Sequence, residues 1–204
     1  MKILVFGGTF NPPHLGHQLM IEQSLTNTFT DVVFDQVWLL PVGKHSFAKN
    51  FVSNLHRLAM LELMISSISE KTVSLKNKIF IEKYELEHNE ESQTFATLEA
   101  LSKQYPEHQF SFLIGSDNLE KFHLWHNYEE MLKKYPFYVY PRASFAFSPM
   151  RQGMIALENF PQMAVSSTKV REALMNNTSL SDLLDDKVIN YIKKNKLYVT
   201  DQVS

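Results

Sequence analysis

The sequence predicts an α/β protein built on a doubly wound parallel sheet. Three observations carry this. The apolar run Ile3-Leu4-Val5-Phe6 passes through a double glycine into a helix-patterned stretch. A second run, Gln36-Val37-Trp38-Leu39-Leu40-Pro41, follows one crossover later, and further runs of the same kind recur along the 204 residues. Strand, helix, strand is a βαβ unit, which is right-handed and builds parallel pairing. Ligands of such sheets bind at the carboxyl ends of the strands, so Gly7 and Pro41 should open onto one crevice.

Between the first strand and the first helix lies Gly7-Gly8-Thr9-Phe10-Asn11-Pro12-Pro13-His14-Leu15-Gly16-His17. Adjacent glycines allow a sharp turn and a close backbone approach to a ligand, while the helix behind them aims unpaired N–H groups and its positive dipole end at an anion. Leu15, Leu19 and Leu25 recur at helical spacing. His14 and His17 stand three apart, so both imidazoles can reach one phosphate chain. A zinc pair is the other reading of His-x-x-His, but the chain has no cysteine and no third ligand at an obvious spacing.

The loop after Pro41 carries Lys44, His45 and Lys49, charges that either neutralise a triphosphate or are simply solvated. Residues 54–68 form a helix with Leu55, Leu58, Ala59, Leu61, Met64, Ile65 and Ile68 as its core face. Ile79-Phe80-Ile81 is a strand, and Ser92 or Thr94 then caps a helix running through Leu98 and Leu101. Phe110-Ser111-Phe112-Leu113-Ile114 leads into Gly115-Ser116-Asp117, whose carboxylate either accepts from ribose hydroxyls or caps a helix. Trp125 reads as a core anchor or a flat stacking surface.

Phe137-Tyr138-Val139-Tyr140 is a further strand with Arg142 just past its end, where it reads as a phosphate ligand or an exposed arginine. Residues 143–162 read as irregular, and Val165 as a strand end entering a helix. Ser166, Ser167 and Thr168 either cap that helix or, with Arg171 one turn on and Lys169 beside it, form a second phosphate entrance. A last helix over 185–195 rests on Val188, Ile189, Tyr191 and Ile192 and ends in lysines matched to its dipole. The whole is read as one domain, 1–204, with a C-terminal helical portion from about 166.

A net charge of −2 and a pI near 6.4 give no overall attraction to nucleic acid. The absence of cysteine excludes disulfides, thiolate catalysis and cysteine-based metal sites. The N-terminus enters a strand at once, without a basic stretch and apolar leader, and no run approaches the roughly 18 apolar residues needed to cross a bilayer. The expectation is a cytoplasmic protein without nucleic-acid or membrane partners; a homo-oligomer stays open.

Gly7 to His17 resembles the G-G-T-F-[DN]-P-x-H-x-G-H signature of the nucleotidyltransferase superfamily, and distantly the H-I-G-H motif of class I aminoacyl-tRNA synthetases. Ser92-Gln93-Thr94, then Gly115-Ser116-Asp117 with Trp125 eight residues on, then Val165 to Arg171 are similar, in order, to further motifs of the nicotinate and nicotinamide mononucleotide adenylyltransferases. Gln93 stands where that family has tyrosine. Lys196-Leu197-Tyr198 resembles the family's usual ending.

The resemblance implies a Rossmann-like sheet and an enzyme that joins ATP to nicotinate mononucleotide, or nicotinamide mononucleotide, giving the dinucleotide and pyrophosphate. It implies ATP binding by Gly7, Gly8, Thr9, Phe10, Gly16, Gly115, Asp117, Ser167 and Thr168, with the adenine flat against Gly16. His14, His17, Lys49 and Arg171 would stabilise the transferred phosphate, Lys49 ahead of Lys44. Thr94, Trp125 and Arg142 would take the mononucleotide, Trp125 stacking on its ring and Arg142 on its phosphate. Mg²⁺ would arrive with ATP, and no protein metal ligand is assigned. The alternatives are a pantetheine-phosphate adenylyltransferase and a non-catalytic nucleotide-binding regulatory module.

Overall fold

The structure, a computed structural model, describes residues 1–26, 32–43, 52–88, 93–143, 145–161 and 164–199. Among these, the strands are β1 (Lys2–Gly8), β2 (Gln36–Pro41), β3 (Ile79–Ile81), β4 (Gln109–Gly115), β5 (Phe137–Tyr140) and β6 (Met154–Ala156). They form one sheet in the order β3-β2-β1-β4-β5-β6, every neighbouring pair parallel. This is the order of the dinucleotide-binding α/β fold, with its switch point between β1 and β4. Gly8 lies level with Pro41, and Gly115 with Tyr140. The ends of four strands therefore meet along one edge.

The strands are apolar on both faces because both are covered. Leu4 and Phe6 of β1, with Val37 and Leu39 of β2, pack under α1 (Leu15–Thr26), α2 (Asn54–Lys71), α6 (Ser167–Met175) and α7 (Asp186–Lys194). Their sequence neighbours Ile3, Val5, Trp38 and Leu40 point the other way, into a cluster closed by α4 (Thr94–Gln104) and α5 (Tyr128–Lys134). A short helix, α3 (Tyr84–Glu87), follows β3. Alternation along each strand thus builds the two layers.

The C-terminal helix is pinned to α2. Asp185 caps α7, accepting from Lys187 N at 2.9 Å, and also accepts from Ser67 Oγ at 2.7 Å and Lys71 Nζ at 3.1 Å. Burial works against its charge, yet these donors together hold the carboxyl below its ordinary range.

Several expectations need correction. Residues 143–162 are not irregular throughout, for they contain β6 at the sheet edge, and Val165 lies in no strand. Leu55 is 73% exposed, while Arg57 and Met60 take buried places on α2. Along α1 it is Gln18, Met20, Ile21, Ser24 and Leu25 that are buried, with Leu15 and Leu19 only half-buried.

Candidate nucleotide site

The turn after β1 is not made by its glycines. Gly7 and Gly8 are still strand, and a Cβ there would come 2.7 Å from Phe112 Cζ and 3.1 Å from Phe10 Cζ respectively. Their missing side chains make room for two core rings. The chain turns at Phe10, whose φ is +46°. Its ring is fully buried, with centroids 5.7 Å from Phe6 and 4.9 Å from His17. Phe10 is therefore part of the core, ring and backbone alike.

The loop that follows is held from distant segments. Arg57 Nη1 donates to Thr9 O at 2.8 Å, Arg171 Nη1 to Asn11 O at 2.7 Å, and Ser167 Oγ to Pro12 O at 2.9 Å. Tyr198 Oη donates to Asn11 Oδ1 at 2.7 Å, and Leu15 N to Leu183 O at 2.9 Å. Arg57 also reaches Val42 O at 2.7 Å and Asn54 Oδ1 at 2.6 Å. The loop is thus tied to α2, to α6 and to the C-terminal segment.

Inside it the His14 and His17 rings stack, 3.6 Å between centroids at 25°. The His14 N–H donates to His17 Nδ1 at 3.1 Å, which leaves His17 with its proton on Nε2. Burial, with a smaller push from Arg142, lowers His14 to about 3; burial, then His14 and Arg142, hold His17 well below its ordinary value. Both are neutral at pH 7. His14 Nδ1 is buried without a hydrogen-bond partner among the described residues, an atom with capacity for a ligand.

These rings line a small cleft with Gly16, Tyr140, Arg142 and Val165. A Cβ at Gly16 would sit 2.8 Å from Val165 Cγ1 and 3.0 Å from His14 Nδ1. Those two side chains, then, are what lies against Gly16.

Across the switch point, Gly115 has no room for a side chain, since a Cβ would overlap Asp117 Oδ1 and come 2.8 Å from Arg142 Cγ. Arg142 Nε pairs with Asp117 at 3.6 Å, and its Nη1 reaches Val165 O at 3.5 Å. Ser116 Oγ accepts from Arg142 N and donates to Phe145 O, both at 2.9 Å. Asp117 caps no helix; it accepts from Asn118 Nδ2 at 3.2 Å. Arg142 therefore stands between Asp117 and the histidine pair rather than apart from them.

Trp125 is half-buried, tilted over Phe122 at 4.9 Å and edge-on to Phe112 at 6.4 Å. Thr94 opens α4 as its first residue and is not its cap, and the preceding Gln93 makes no side-chain cap either. Ser166 caps α6, accepting from Lys169 N at 3.2 Å, while Lys169 Nζ turns to Ala164 O at 2.8 Å. Arg171 Nη2 donates to Thr168 Oγ1 at 3.1 Å. Lys44, His45, Lys49 and Ser92 lie outside the described residues.

Arg57 was not among the expected site residues, and no role was expected of Asn11 or Tyr198 beyond their places in the first motif and the closing Lys196-Leu197-Tyr198. Arg57 did leave a signal: it sits at helical spacing from Leu61, Met64 and Ile68, a charge within an apolar stripe. The pairing of Asn11 with Tyr198 left none, because it spans 187 positions. Among the described residues no three His, Asp or Glu side chains are placed to hold a metal ion, and no helix is long and apolar enough to cross a membrane.

The loop and its stacked histidines stand at the switch point of this sheet, where nucleotides bind in folds of this order, and the model of the cytidylyltransferase-like family matches residues 5–173, which places the chain in the nucleotidyltransferase class. The chain is 33% identical to the nicotinate-nucleotide adenylyltransferase of Bacillus subtilis over 199 residues, covering 97% of this chain and 98% of that one. Its fold is similar to that of the Plasmodium falciparum nicotinic acid mononucleotide adenylyltransferase in complexes with APC and with NaAD. The TM-score is 0.73 for each, at 22% and 23% identity, covering 97% of this chain and 96% and 97% of those chains. The chain belongs to the nicotinate-nucleotide adenylyltransferase family, enzymes of NAD biosynthesis.

Proposed function

We propose that this chain transfers the adenylyl group of Mg-ATP to the phosphate of nicotinate mononucleotide. The observation that carries it is the clasp of the β1–α1 loop by α6 around the stacked histidines, in a chain related over nearly its whole length to enzymes of that name. An oxygen of the mononucleotide phosphate attacks the α-phosphorus of ATP, a new P–O bond forms, the bond to the β-bridging oxygen breaks, and pyrophosphate leaves. The mononucleotide phosphate is itself the nucleophile, so no protein nucleophile is required. Catalysis is positioning plus charge stabilisation.

In this reading Thr9, Ser167, Thr168 and Arg171 hold the triphosphate, and His14 and His17 face the α-phosphate. With its Nδ1 accepting from the His14 backbone N–H, the neutral His17 ring presents a fixed Nε2–H donor. Lys49 adds charge from the loop after β2. Asp117 accepts from a ribose hydroxyl, and Trp125, Thr94 and Arg142 receive the mononucleotide. Mg²⁺ enters on the phosphates of ATP, which supply the oxygen ligands that a hard cation prefers; the nitrogen donors around His14 suit it poorly. The setting is the cytoplasm and the partners are small molecules.

Incubation with Mg-ATP and nicotinate mononucleotide should yield dinucleotide and pyrophosphate in equal amounts. No turnover from protein that still binds ATP would return the chain to the non-catalytic reading.

A further inference from the structure

We propose that the outer edge of β3 pairs antiparallel with the same edge of a second copy of this chain, giving a two-fold dimer with one continuous sheet. β3 is an end strand, and among the described residues nothing bonds to its outer side. On its inner side Val37 N–H donates to Lys78 O at 2.9 Å, and Glu82 N–H donates to Leu39 O at 2.8 Å. Val37 lies level with Ile79 and Leu39 with Ile81, and a parallel ladder of this register takes its bonds from the residues on either side of those two. The N–H and C=O groups of Ile79 and Ile81 therefore point outward, without a partner among the described residues, as a template for another strand.

The side chains say which strand fits. Ile79 and Ile81 turn to the core, so Lys78, Phe80 and Glu82 share the other face. Phe80 is 42% exposed and belongs to neither core cluster. Lys78 and Glu82 have no ion-pair partner among the described residues. Burial pushes the Glu82 carboxyl above its ordinary value, although the Tyr84 N–H donates to it at 2.9 Å.

A copy related by a two-fold axis at Phe80 answers all three. Ile79 and Ile81 exchange both backbone bonds with Ile81 and Ile79 of the second copy, and Phe80 meets Phe80 at the axis. Lys78 then lies directly across from Glu82 of the second copy, on both sides of the axis. A lysine on an edge strand ordinarily repels a copy. Here the charges flanking Phe80 have opposite signs, so the rotation matches them. The other end strand, β6, has no such pattern, for the same operation about Ile155 sets Gly153 against Leu157.

An edge this short makes a small interface, so the dimer should form in the micromolar range. Sedimentation of the whole chain over a rising concentration series should show the mass move from 23.7 kDa toward twice that value. The Ile79 and Ile81 amides should gain protection from hydrogen exchange over the same series, while Phe80, whose groups face β2, stays protected throughout. Lys78→Glu alone and Glu82→Lys alone each set like charges across the axis and should weaken association at least about tenfold. Mixed in equal amounts, these two variants make every crossing pair opposite again and should recover it.

Should Glu82→Lys fail to fold, Phe80→Glu, at an exposed position, sets two carboxylates on the axis and should weaken association as Lys78→Glu does. A chain that keeps one mass throughout, or a dimer indifferent to Lys78→Glu and Phe80→Glu, would overturn the inference, as would a mixture of folded variants that stays apart. None of these residues lines the nucleotide cleft, so the dimer and the reaction stand or fall separately.

Discussion

The two sides of the crevice are built differently. On the phosphate side, the loop from Thr9 to Pro12 is gripped by buried or half-buried donors drawn from Arg57, Ser167, Arg171 and Tyr198, up to 187 positions away. On the side assigned to the pyridine ring, Trp125 rests on Phe122, three residues back, and Thr94 merely begins a helix. A donor array that must match developing charge gains from rigidity, because nothing has to reorganise as the reaction proceeds. A stacking surface tolerates variation, since a π-face needs only area and rough alignment. The difference teaches that the phosphate side should control rate and the ring side the choice of acceptor.

The hardest test of that division is His17→Ala. Removing one preorganised donor costs about 2.7–4 kcal/mol, or roughly 10²–10³ in turnover. Turnover and a thermal melt measured together should show the loss with cooperative unfolding retained; more than about half the wild-type rate would remove His17 from the phosphate side.

Next comes pH. The unfolded chain's histidines take protons near 6.5, whereas folded His14 resists until about 3 and His17 is also held low. Between those limits the unfolded state binds more protons, so the stability present above pH 6.5 is lost as pH falls toward 3. The slope is up to about 1.4 kcal/mol per pH unit for each histidine. Denaturant unfolding at pH 7.5 and pH 5 reads it, and His14→Gln should make it shallower. An equal slope in that variant would show that His14 is not held neutral.

Arg171→Ala should raise KM for ATP about tenfold, on the order of 1.4 kcal/mol, with little change in KM for the mononucleotide. The reverse pattern would break the assignment of α6 to the triphosphate. The smallest effect is expected at Trp125→Leu, where loss of a stack worth about 0.5–1.5 kcal/mol should raise KM for the mononucleotide a few-fold and leave kcat nearly intact.

The doubly wound sheet was legible because β1, β2, β4 and β5 are continuous apolar runs, the mark of strands covered on both faces. The strand β6 was not: it has three residues, none fully buried, just after Gly153 at φ +92°. Too short for periodicity, it gave no pattern to read. In the site, the residue types of the Gly7–His17 stretch and of Ser166–Arg171 were visible, but not what they do to each other.

The double glycine suggested a turn, yet space for Phe112 and Phe10 is what those positions provide. Phe10 suggested a phosphate contact, yet its ring is core. Arg57 and Tyr198 act on the loop only once the chain is folded, and a sequence pattern records spacing along the chain rather than across it. Leu55 erred the other way, for an apolar residue at helical spacing is not buried when the first turn of its helix faces solvent.

A rigid phosphate side that performs adenylyl transfer and a ring side that selects the acceptor should separate rate from acceptor choice. The most direct measurement is pyrophosphate release from Mg-ATP with nicotinate mononucleotide, nicotinamide mononucleotide and 4′-phosphopantetheine offered in parallel at equal concentration. Release with nicotinate mononucleotide should be at least about tenfold faster than with the others, a difference of about 1.4 kcal/mol. Equal rates with all three, or preference for 4′-phosphopantetheine, would contradict it.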